Sequence, residues 1–131
     1  MMQGRVGIWV DHRDAFVLRP FADEQRVTVV HSHAETQSRR ASDVESGPFE
    51  PLHQQSDDVR QRKYTSELNQ YYDRVIEQIG DPDSLLIFGP GEAKLELQGR
   101  LDKHRFSRVD VRVETADRMT EAQMLAYVRR E

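Results

Sequence analysis

At 131 residues, with 37% apolar and 32% charged side chains, the chain is long enough for one sheet with helices packed on it and should be soluble. It holds no cysteine, which excludes disulfides, cysteine-ligated zinc and thiol catalysis together. A formal charge of −4 gives no global attraction to nucleic acid, though it leaves a local basic face open. No apolar run approaches the roughly 20 residues of a membrane span, and the start carries no leader-like segment. The expected compartment is therefore the cytoplasm, with no membrane partner.

Arg5–Val10 and Ala15–Pro20 are apolar-rich around a polar Asp11-His12-Arg13-Asp14, the pattern of a β-hairpin. A third strand is predicted over Arg26–His33, with Val27 and Val29 on one face and Thr28 and Val30 on the other. Residues 35–58 lose all periodicity and are acidic, so a long mobile loop is predicted there. Order returns near Arg60, where Tyr64, Leu68, Tyr71, Tyr72, Val75, Ile76 and Ile79 recur at helical spacing up to a C′ Gly80 and Pro82. Ser84–Phe88 reads as a central strand covered on both faces, and Glu92–Lys103 as a second helix. Val109, Val111 and Val113 alternate with charges in a half-exposed last strand. Thr120 with Gln123 then forms a capping box that opens a third helix.

This order predicts a single α/β domain over 1–131. Its sheet is a ribonuclease-H-like mixed five-stranded one, order 3-2-1-4-5, with a right-handed crossover and three helices.

Several constellations invite chemistry. Gly89 and Gly91 end a strand where a helix begins, so their backbone suits an anion or partner contact, with Lys94 in the first turn to supplement it. The GxxxxGK[ST] spacing is absent, and a tight strand-to-helix turn explains the glycines equally. Arg60, Arg62 and Lys63 cluster where a helix start favours acids, which points to a phosphate backbone; neutralisation by Asp57 and Asp58 is the plainer alternative. Asp11, Glu114 and Asp117 could supply carboxylates for a metal-dependent nuclease, although Asp11 and Asp14 also suit a turn. His31 and His33 share a strand face, but nothing fixes a third ligand, and no metal or other cofactor is expected. Trp9, Phe16, Tyr71 and Tyr72 read as packing residues.

Four stretches, VGIWVDHRDAFVL (6–18), YTSELNQYYDRVIEQI (64–79), LLIFGPGEAKLEL (85–97) and VETADRMTEAQMLAYVR (113–129), carry a resemblance. The chain resembles the central domain of the archaeal and eukaryotic peptide-chain release factor and Pelota superfamily, and especially its small bacterial single-domain relatives, often labelled translational machinery proteins. The resemblance implies a ribonuclease-H-like fold that works in the ribosome. In that family a long loop carries a Gly-Gly-Gln tripeptide that helps water attack peptidyl-tRNA. Here the loop holds Ser46-Gly47-Pro48 and His53-Gln54-Gln55 and no Gly-Gly-Gln. Gln54 and Gln55 lack the glycines that let backbone approach an ester. The resemblance thus implies a non-catalytic module bound to the ribosome, to ribosomal RNA or to transfer RNA through Arg60, Arg62, Lys63 and Lys94. A hydrolase acting on peptidyl-tRNA or a phosphodiester, and a homodimeric protein–protein adaptor, are the alternatives.

Overall fold

A computed structural model describes residues 4–22, 25–34 and 53–131, with the backbone alone over 53–58. The elements run β1 (Arg5–Val10), β2 (Asp14–Arg19), β3 (Arg26–His31), α1 (His53–Glu77), β4 (Ser84–Gly89), α2 (Ala93–Arg100), β5 (Asp110–Thr115) and α3 (Glu121–Arg130). The strands form one mixed sheet in the order β3-β2-β1-β4-β5. The β1–β2 and β2–β3 pairs are antiparallel, and β1–β4 and β4–β5 are parallel. This is the ribonuclease-H-like arrangement that the element order implies.

Strict alternation sorts the side chains into two cores. Val6, Ile8 and Val10 of β1, with Leu85 and Ile87 of β4, face the layer made by α1 and α2, where Tyr71, Tyr72, Val75, Ile79 and Leu97 close the packing. Trp9, Phe16, Leu18, Leu86 and Phe88 face the other way and meet Met124 and Val128 of α3. With helices on both sides, the central strands are apolar throughout. The α3 start is the predicted capping box: Thr120 Oγ1 accepts from Gln123 N at 3.1 Å, and Gln123 Oε1 accepts from Thr120 N at 2.9 Å.

Three boundaries differ from the sequence expectation. The third strand ends at His31 and not at His33, because His33 turns left-handed at φ 60°, so the two histidines do not share a strand face. The loop expected to reach Asp58 ends earlier, because α1 is helical from His53; Gln54 and Gln55 therefore stand in its first turn. Residues 53–60 contain no helix breaker, but their sequence carries no apolar stripe either, so periodicity cannot mark a helix there. The remainder of that loop, 35–52, lies outside the described residues. Helix α2 stops at Arg100 and does not continue to Lys103, since Leu101 turns extended and the Asp102 carboxylate captures the backbone N–H of His104 at 2.8 Å. That local bond competes with the helix and ends it.

The carbonyls of the turn that follows α1 are satisfied from two sides. Arg19 at the end of β2 donates to Gln78 O and Ile79 O, and Arg105 donates to Gly80 O at 3.0 Å. Cations at this end also suit the helix dipole.

Candidate nucleic-acid interface

Gly89, Gly91 and Lys94 come together at the C-terminal end of the parallel strands, but each is occupied by the fold. A Cβ on Gly89 would stand 2.3 Å from the carbonyl oxygen of Val10, so β4 approaches the end of β1 only because that position is glycine. Gly91 takes the left-handed region at φ 64°, with open space around it. Lys94 is only 8% exposed, and its ammonium donates back to Gly91 O. The turn is a strand-to-helix joint closed by its own lysine.

Around that joint the chemistry is acidic and internally paired. Glu96 Oε1 accepts from Tyr72 Oη at 2.6 Å and lies 3.1 Å from His12 Nε2. Tyr71 Oη donates to Asp11 O at 3.0 Å, which ties α1 to the β1–β2 turn. Burial, followed by these acidic neighbours, raises both phenols above the ordinary tyrosine range.

The other sequence-predicted cations stand elsewhere. Among the described side chains of α1, Tyr64 is the first to pack against the core. The eleven residues of helix ahead of it, 53–63, extend about 16 Å at ~1.5 Å per residue. On this arm Arg62 and Lys63 are exposed, Arg60 is half-buried, and Val59 is 57% exposed. Arg60, Arg62 and Lys63 thus stand in the first half of α1, on a different element from the Gly89–Lys94 turn, and Arg60 Nε is itself buried.

Against protein-family models and curated proteins, this chain finds no match.

The carboxylates considered for a nuclease are held by neighbours. Asp11 Oδ1 accepts from Arg13 N at 2.8 Å and Asp14 N at 2.7 Å, the turn role that competes with catalysis. Arg118 Nη1 lies 3.6 Å from Asp11 and 3.7 Å from Asp14, and its guanidinium spans the rings of Trp9 and Phe16 at 5.0 and 5.5 Å. Glu114 accepts from Tyr127 Oη at 2.5 Å, while Asp117 gives its backbone carbonyl to Trp9 Nε1. His31 Nδ1 sits 2.6 Å from Asp14 Oδ1, with its ring 5.9 Å from that of His33. Among the described residues no three His, Asp or Glu side chains are grouped to hold a metal.

The hydrogen bond to Glu114, with some burial, pushes the Tyr127 phenol up to about 12 from an ordinary 10.0. Tyr71 and Tyr72 shift in the same direction. Phenols that ionise more readily when unfolded contribute stability that is fully present below pH 10.0 and is lost as pH rises toward about 12. The urea midpoint should therefore fall on raising the pH from about 9 to about 11, and the fall should be smaller in Tyr127→Phe. An identical fall in both proteins would remove Tyr127 from the account.

One basic feature was missed by reading the sequence. The turn between α2 and β5 exposes Lys103, His104, Arg105 and Arg108 at the opposite end of the sheet. Backbone N–H groups of His104 and Arg105 hold the Asp102 carboxylate below its usual range, so the one acid inside this turn stays ionised and committed. Arg105 lies over the Phe106 ring at 4.9 Å, and Arg100 makes a bidentate pair with Asp73 at 2.9 Å. The signal was present as four cations, Arg100, Lys103, Arg105 and Arg108, but it was split by the predicted helix end at Lys103.

Proposed function

We propose that this chain is a non-catalytic, translation-associated module that binds ribosomal or transfer RNA, akin to the central domain of the release factor and Pelota superfamily. One observation carries the reading. Arg60, Arg62 and Lys63 fall within one turn of the N-terminal arm of α1 (53–63), and Arg62 and Lys63 are exposed there. Such an arm suits phosphate contacts, which position a protein on RNA without reading its sequence. The ribonuclease-H-like sheet and the four resembling stretches support the same reading. Hydrolysis is disfavoured because Asp11 and Glu114 are engaged in structural hydrogen bonds and the chain has no Gly-Gly-Gln.

The test is co-sedimentation with purified ribosomes, and binding to bulk tRNA, across a salt series. Arg60→Ala/Arg62→Ala/Lys63→Ala should weaken binding and reduce the log–log salt slope by about two to three, roughly one per lost phosphate contact. The far-UV spectrum should not change. Binding unaffected by the triple replacement would reject the arm as the site. Absence of salt-dependent binding to both probes would reject the function.

A further inference from the structure

The outer edge of β3 opens into a groove that neither the arm nor the glycine turn uses. β3 is an edge strand, and among the described residues no strand pairs with its far side. Beside it lies an open cavity of about 490 Å³, with residues 29–33 on one wall and Glu67, Arg74 and Glu77 of α1 on the other. These α1 positions fall on one helical stripe. Arg74 Nη2 donates to His31 O at 3.0 Å and so pins the helix to the strand; its charge remains between the two glutamates, which leaves the wall with one net negative charge. Glu67 and Glu77 make no ion pair or hydrogen bond among the described residues.

Edge strands are usually blunted by proline, lysine or a bulge. β3 has none of these in its own sequence, and Arg74 caps only its last carbonyl: it reads Arg-Val-Thr-Val-Val-His, is paired residue for residue with β2 over its whole length, and leaves Val29 39% exposed and the outer backbone groups of Val27 and Val29 for a further strand. A strand edge facing a helix across a groove is a geometry that binds extended polypeptide by strand addition.

We propose that this groove takes an extended segment of another protein as a sixth strand, with two cationic side chains four residues apart that meet Glu67 and Glu77. The spacing follows from geometry. Ten helical residues separate the glutamates, about 15 Å along α1, and residues i and i+4 of a strand stand about 13 Å apart on one face. The intervening i+1 and i+3 side chains fall on the opposite face beside Val27 and Val29, where β-branched apolar residues fit. The recognised pattern is therefore cation, β-branched, any, β-branched, cation.

The test uses fluorescent peptides with Lys-Val-Thr-Val-Lys at their centre, together with versions in which the lysines are two or six residues apart. The i, i+4 peptide should bind best. Glu67→Gln/Glu77→Gln should weaken it about fivefold or more, as two exposed ion pairs would. N-methylation of alternate peptide nitrogens on the pairing side should abolish binding, while methylation on the outward side should not. The Arg60/Arg62/Lys63 triple variant should bind the peptide normally, which separates this site from the RNA arm. Binding indifferent to lysine spacing and to N-methylation would overturn the proposal. So would sedimentation showing that a second copy of the chain occupies β3 and excludes the peptide.

Discussion

Replacing Gly89 with alanine is expected to lower stability by about 3 kcal/mol or more, and the thermal midpoint by about 10 °C. Two costs combine at this position. Its φ of 148° is one that L side chains rarely adopt, and a Cβ there meets the Val10 carbonyl at 2.3 Å. The obstructing atom belongs to the backbone of the central strand β1, so no rotamer change can relieve the contact. Gly91→Ala is the control. It too is left-handed, at φ 64°, but nothing lies within 4 Å of its Cβ, and it should lose only about 1–2 kcal/mol. Thermal unfolding of the two variants decides the matter. Equal losses would mean that backbone conformation, not the approach of β4 to β1, makes Gly89 necessary.

Gly7 presents the complementary case, in which the obstruction is a side chain. A Cβ on Gly7 would stand 2.2 Å from Val128 Cγ2, so glycine is what lets α3 lie against β1. Val128 is fully buried and β-branched, which leaves it one favoured rotamer in a helix and no easy retreat. Gly7→Ala should cost about 1–3 kcal/mol by overpacking, and Val128→Ala about 2 kcal/mol by loss of buried methyls. Together they should cost clearly less than their sum, because the new methyl fills part of the space the valine vacates. Denaturant unfolding of the two single variants and the double variant measures that coupling. Additive losses would show that α3 shifts to absorb the methyl, and the packing account would fail. No second-site change of this kind can rescue Gly89.

The sheet was legible because its strands alternate or are bounded by turn residues. Arg5–Val10 and its polar hairpin turn, and the capping box at Thr120, are local signals, and they landed where local physics puts them. The first turns of α1 were illegible for an equally physical reason: the sequence of His53–Arg60 has no apolar stripe, so nothing in the spacing separates a polar helix from a loop. The glycine pair showed that a turn was needed without revealing why. The reason lies 79 residues earlier in the chain, at the Val10 carbonyl. Lys94 shows the same limit, since only the folded turn reveals that its ammonium closes onto Gly91. The Glu67 and Glu77 wall was invisible because acidic residues on a helix read as solvated until β3 is placed opposite them.

The C-terminal half of helix α1 is tied to several neighbours. Tyr71 holds it to Asp11, Arg74 to His31, and Arg19 and Arg105 bond the carbonyls of the turn that follows it. These bonds join one helix to the β1–β2 turn, to the end of β2, to the edge strand β3 and to the turn between α2 and β5. Helix α1 is thus a brace: four separate parts of the sheet layer share a load through it.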